Sequence, residues 1–208
     1  MRKILMTALA STLIGLAPMA AAQGAQQTGA DELVRRISNT MIDSARADRG
    51  VVANDPKAIS ALVESQLMPH LDFESITRSA VGPQWRGASA DQRSRLQAEF
   101  KTLLMRVYSG ALSQAGNHSV AILRSVAAAD DTQQVVQTEV RGKGAPVRLD
   151  YRLDQQAGSA GWKIVDVGIS GLWLVQSYRS QFAQVLAKDG IDGLVEALAL
   201  RNVPAQKK

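Results

Sequence analysis

The chain has 208 residues, no cysteine and a formal net charge of +5. That composition excludes disulfide staples, a cysteine nucleophile and a thiolate metal site, while the length suffices to bury one core of its own. Without Arg2 and Lys3 the charge falls to +3, and no basic run is interleaved with aromatics, so nucleic acid is not an expected partner.

Residues 1–22 read as a cleaved export signal. Arg2 and Lys3 give a basic start, Ile4–Leu16 an apolar run, and Ala20, Ala21 and Ala22 the small residues before a cut ahead of Gln23. The run is too short to span a membrane comfortably. The expected location is therefore the periplasm. Gln23–Ala30 is a small, polar leader, residues 31–201 form the expected single domain, and 202–208 a polar, basic tail.

Asp31 caps a helix to about Arg49, with Leu33, Val34, Ile37, Met41 and Ala45 on one face. Asp55-Pro56 pairs a capping carboxylate with proline at the first helical position; that helix runs to about Met68, where Pro69 stops it. Asp72 caps a shorter helix through Ala80, ended by Gly82-Pro83. Ser89 and Gln92 fit a capping box. The helix they open is the longest, to about Ala115, with Leu96, Phe100, Leu103, Leu104, Val107, Ala111 and Leu112 in a broad stripe and Gly116-Asn117 closing it.

The pattern then changes period. Ser119–Val126, Gln133–Val140, Val147–Leu153 and Trp162–Ile169 are successive strands with short links, which argues for an antiparallel meander. In the third, Val147, Leu149, Tyr151 and Leu153 alternate with Arg148, Asp150 and Arg152. In the fourth both faces are apolar. Val165 and Val167 share one face, Trp162 and Ile164 the other, and the pattern leaves open which looks inward. A helix over Trp173–Lys188 follows, with Leu174, Tyr178, Phe182 and Leu186 at i, i+4 spacing, then another over Ile191–Arg201. The fold class is α+β: N-terminal helices packed on a curved four-stranded antiparallel sheet, with C-terminal helices after it. A hairpin feeding an amphipathic helix builds an apolar cup. Such a cup either fills with its own side chains or holds an apolar ligand, and the pattern admits both. All nine aromatics fall between Phe73 and Phe182, within the elements that would form it, so its wall is mainly aliphatic.

Catalytic signatures are missing. His70 and His118 are not in a metal-ligand spacing, and no Gly-x-Ser-x-Gly elbow supplies a nucleophile for either. Asp166 could be a buried carboxylate with Glu74 or Glu99 as partner, but carboxylates this scattered usually cap helices or face water. No glycine-rich phosphate loop follows a strand; Gly142-Lys143-Gly144 lies in a hairpin link. Neither enzymatic activity nor a cofactor is expected.

Three segments, LMPHLDFESITRSAVGPQWR (67–86), SADQRSRLQAEFKTLLMRVYSGAL (89–112) and WKIVDVGISGLWLVQSYRSQF (162–182), resemble the MlaC, or toluene-tolerance auxiliary, family. The likeness covers nearly all of the chain after the signal. One departure stands out. Where the family reads G-x-S-L-V, this chain has Gly171-Leu172-Trp173-Leu174-Val175, which leaves open how the last strand meets its helix. The resemblance implies a cone-like, nuclear-transport-factor-like core whose pocket takes the acyl tails of a glycerophospholipid. It also implies a shuttle that docks on an outer-membrane lipoprotein complex and on the substrate-binding subunit of an inner-membrane ABC transporter, and no catalysis. Bound phospholipid is then cargo, with transient contact to the membrane surface; an adaptor with a filled core and no lipid is the alternative.

Burying one methylene is worth roughly 0.8 kcal/mol, so a sixteen-carbon tail is worth about 12 kcal/mol. A carrier must replace nearly all of that without exceeding it. Aliphatic walls do so without choosing a head group, so broad head-group tolerance is expected. The candidate lining residues are Val147, Leu149 and Tyr151 from the alternating strand and Leu104, Tyr108 and Leu112 from the long helix. Val81 and Trp85 stand at a possible mouth, and Val140, Val165, Val167 and Tyr178 complete the set. Arg141, Lys143 and Arg179 are candidates for meeting phosphate or an acidic partner, or are ordinary surface charges.

Overall fold

The computed structural model describes residues 29–128, 132–156 and 161–203; the expected export signal, nearly all of the leader and the last five residues of the tail lie outside them. Helix α1 (Ala30–Ala47) buries the expected face, Leu33, Val34, Ile37, Met41 and Ala45, but Asp31 does not cap it: Gly29 holds the cap position, Asp31 lies in the first turn, and the helix stops at Ala47, short of Arg49. One turn, α2 (Arg49–Val52), follows, capped by the Asp48 carboxylate. Helix α3 (Pro56–Leu62) starts as its cap predicts, with Asp55 accepting from the Lys57 N–H at 3.0 Å. It does not reach Met68 as an α-helix. Val63–Leu67 widens into a π turn and Met68–His70 tightens into a 3₁₀ turn. The Ser65 hydroxyl donates to the carbonyls of Ala61 and Leu62 and competes with the α ladder there, and Pro69 has no N–H to extend it.

Helix α4 (Phe73–Val81) is capped by Asp72, which accepts from the Ser75 N–H at 2.9 Å and its hydroxyl at 2.6 Å. It stops at Gly82, whose φ of 78° is cheap only for glycine, and Gly82–Gly87 forms a 3₁₀ turn. Helix α5 (Ala90–Ser113) opens on the reciprocal capping box of Ser89 and Gln92.

The sheet runs in order β1 (Ser119–Ala127), β2 (Gln133–Arg141), β3 (Val147–Gln155), β4 (Trp162–Ile169) and β5 (Leu172–Trp173), every neighbour antiparallel. Four strands were expected and five are present. Ser170 and Gly171 both have positive φ, 51° and 87°, the conformation of a two-residue I′ hairpin turn, so Leu172 folds back opposite Ile169 and Trp173 opposite Gly168. Trp173 is therefore the extended residue before α6 (Leu174–Asn202) rather than its first helical one. The departure from G-x-S-L-V thus ends in a hairpin. The indole lies against Gly168, where an added Cβ would come within 3.3 Å of it. At Gly190 (φ 66°, ψ −162°) the backbone of α6 breaks, which separates the two expected C-terminal helices.

Two buried clusters hold this together. One lies among the helices: Ile76, Ala80, Val81 and Trp85 pack with Leu96, Phe100 and Leu103 of α5 and Tyr178, Phe182 and Leu186 of α6. The Phe100 ring sits 4.9 Å from that of Tyr178 and 5.3 Å from that of Phe182, both edge-on, the favoured aromatic geometry. In the other, α1 and α3 cover Val136, Leu153 and Ile164 on one face of the sheet. The aromatics were expected in the cup. Most of them fill the helix cluster instead, because helix spacing brings Phe100, Tyr178 and Phe182 onto facing stripes.

Candidate functional site

Strand pairing places Val120 and Ile122 of β1, Val136, Thr138 and Val140 of β2, and Val147, Leu149, Tyr151 and Leu153 of β3 on one face. On β4 the register shifts between Arg152 and Leu153: Tyr151 faces Val167, Leu153 faces Ile164, and Val165 is the extra residue of a bulge. Ile164 and Val167 therefore share the face that covers the core, and the strict alternation assigned to this strand, with Val165 beside Val167, is corrected. Trp162, Ile164 and Val167 all join the cluster under α1.

Burial along this face is uneven. Val136, Leu153 and Ile164 are wholly buried beneath α1 and α3. Ile122, Tyr151, Val167 and the α5 residues Met105 and Leu112 pack against the same cluster yet remain half-buried. Leu149 and Ile169, opposite each other across β3 and β4, are half-buried too. These inward-facing apolar groups thus keep part of their surface accessible instead of vanishing into the core. Tyr151 marks the polar limit of this region. Burial pushes its hydroxyl up to about 12, although it shares a hydrogen bond with Ser38 of α1. The phenol therefore stays neutral and adds no charge to this face. Beside it, the fully buried Thr138 hydroxyl is satisfied by the Leu149 carbonyl at 2.6 Å.

Of the residues singled out from sequence, Leu112, Tyr151 and Val167 meet in this cluster, with Leu149 on the same face. Val140 and Val147 face each other at the end of the β2–β3 ladder, where Val147 is 42% exposed. Val81, Trp85, Leu104 and Tyr178 belong to the helix cluster. Burial raises the Tyr108 hydroxyl above its ordinary range, against a lowering contribution from Tyr178 of α6. Sequence reasoning missed Met105, Ile122 and Ile169. Ile122 was the most accessible of these, since Val120 and Ile122 alternate in β1 before a bulge breaks the pattern. Met105 sits off the i, i+4 row that selected Leu104 and Leu112.

The opposite face of the sheet is polar. Asp166, 3% exposed, pairs with Arg152 at 3.3 Å and accepts N–H bonds from Val167 and Val175, the latter in the first turn of α6. Desolvation nevertheless holds its carboxyl above the ordinary range. Arg152 in turn lies 4.3 Å over the Trp173 ring, a cation–π contact. Asp166 thus has a structural partner, and neither Glu74 nor Glu99 pairs with it; Glu99 binds Asn202. His118 meets the Gln114 carbonyl at 2.7 Å, and His70 is held below its usual range by burial, Arg36 and Lys163. Among the described residues no group of three or more His, Cys, Asp or Glu could hold a metal ion, and no helix is long and apolar enough to cross a membrane.

Known proteins share this arrangement. A family model described as MlaC protein matches residues 35–200. The solved structure of a phospholipid-binding protein from Ralstonia solanacearum, in complex with a phospholipid, superposes with a TM-score of 0.79 at 38% identity, covering 83% of this chain and 96% of that one. A toluene tolerance protein of Pseudomonas putida is 28% identical, over 77% of this chain and 74% of its own. The intermembrane phospholipid transport system binding protein of Haemophilus influenzae is 22% identical, over 78% and 77%.

Proposed function

The chain belongs to the MlaC family, and we propose that it is a periplasmic carrier that binds one glycerophospholipid by its acyl chains and moves it between the two membranes. The relative that holds a phospholipid on this same fold carries the reading, and the half-buried apolar face of β3 and β4 supports it. The tails would lie between that face and α5, against Leu112, Leu149, Tyr151 and Val167, with Met105 and Ile122 beside them. Export through the N-terminal signal puts the protein between the membranes. Its partners there are an outer-membrane lipoprotein complex and the substrate-binding subunit of an inner-membrane ABC transporter. No reacting group is needed: the device works by matching the roughly 0.8 kcal/mol per methylene that a bilayer supplies.

The test is native mass spectrometry of protein purified gently from cells. A carrier gives about one phospholipid per chain, with mixed head groups. A protein that arrives without lipid, and takes up none from vesicles, is an adaptor that acts by surface contacts.

A further inference from the structure

A second site lies away from the apolar face, at the junction of α4, the Gly82–Gly87 turn and α6. Arg78, Ser79, Gly82, Pro83, Trp85, Arg86 and Arg179 line a shallow pocket of about 360 Å³ there. Its floor is rigid: Trp85 is 4% exposed and packed into the helix cluster. Arg93 supports it from beneath, 5.4 Å from the indole and donating to the Trp85 and Arg86 carbonyls. Arg179 is seated by Gly82, where a Cβ would stand 3.4 Å from the guanidinium. Arg78 keeps a single side-chain bond, to the Ser75 hydroxyl at 2.7 Å.

Four guanidiniums thus crowd one short turn. Among the described residues none of the four is paired with a carboxylate; Arg36, Arg49, Arg106, Arg124 and Arg201 are likewise unpaired, but only here do several such groups meet around one pocket. Unneutralised like charges repel, and fixed forks of N–H donors around an apolar floor are suited to planar carboxylates. We propose that this pocket docks an acidic segment of a protein partner, carboxylates on Arg78, Arg86 and Arg179 and an apolar side chain on Trp85 and Pro83. Two observations favour a protein over a lipid surface. The pocket is concave and suits a protruding side chain. Moreover, none of the exposed large apolar residues, Val52, Val107, Leu123, Val126, Val147, Leu172, Leu200 and Val203, lies among its lining, so nothing there would enter a bilayer. The site shares no lining residue with the apolar face beneath α1, so docking and cargo are separable.

Fluorescence anisotropy with a labelled decapeptide of alternating glutamate and leucine tests this, on the full mature chain at low salt. The comparison pair is R78E/R86E/R179E and R35E/R49E/R124E, equal in charge change but placed elsewhere. The expected result is at least about tenfold weaker binding to the first variant only, with affinity falling as salt rises. No binding to the unmodified chain, or equal loss in both variants, overturns the proposal. So does arginine-dependent co-sedimentation with phosphatidylglycerol vesicles when the peptide does not bind, which would make the patch a membrane contact. Lipid content of the first variant by native mass spectrometry should equal that of the unmodified chain, so failure here leaves the carrier reading standing.

Discussion

Leu149→Arg puts a charge where the carrier needs hydrocarbon. Leu149 lies between Thr138 and Ile169 on the inward face, half-buried, with the neutral Tyr151 two residues along the strand. An arginine there either fills the space or draws water into it. Displacing some four methylenes of an acyl tail costs about 3 kcal/mol at roughly 0.8 each, about a hundredfold in lipid retention. The fold should tolerate the change, because Leu149 belongs to neither fully buried cluster and a long side chain can lead its charge to water. Leu123→Arg is the control: Leu123 is 51% exposed at the β1 bulge, so cargo should be unaffected. Native mass spectrometry of both variants, with circular dichroism to verify folding, reads the outcome. A folded Leu149→Arg protein carrying its normal complement of lipid would refute the placement of tails against β3.

Phe100→Ala removes the ring that joins Phe73, Tyr178 and Phe182 in the helix cluster; urea denaturation should show a loss of about 3–5 kcal/mol. Gly116→Ala should cost about 1–3 kcal/mol by overpacking, because the new Cβ would stand 2.8 Å from the Arg46 Cα and 2.9 Å from its nitrogen; an unchanged denaturation midpoint would show that α1 moves aside freely. Asp166 makes a prediction in pH. Its folded-state carboxyl titrates above the ordinary 3.8, so its stabilising contribution is complete below 3.8 and declines as pH rises through the folded value. Measured by urea denaturation, the stability of the unmodified protein relative to Asp166→Asn should fall as pH rises above the ordinary carboxylate value. A rise would mean that Arg152 and the two N–H donors outweigh desolvation.

Local chemistry is what the sequence announces. Asp55-Pro56, Asp72 and the Ser89/Gln92 box act on backbone groups within three residues, so each cap forms as read. The alternation of β3 survives because its neighbours follow the same period. Contacts between distant segments carry no such signal. The bulge at Val165 arises from pairing with β3, and it alone turns Ile164 and Val167 to one face. The I′ turn at Ser170-Gly171 holds a serine at positive φ, a cost that nothing in the local sequence offsets, and it is the turn that brings Trp173 onto Gly168 and Arg152.

The starts of α3, α4 and α5 and the order of the four main strands were thus written in the chain, because caps, proline, glycine and side-chain period act over a few residues. Tertiary packing decided which apolar residues vanish into the helix cluster and which keep surface beneath α5. It also decided that arginines a hundred residues apart, Arg78 and Arg179, share one pocket. Such choices depend on which segments meet, and that is fixed by the burial of the whole surface at once rather than by any stretch alone.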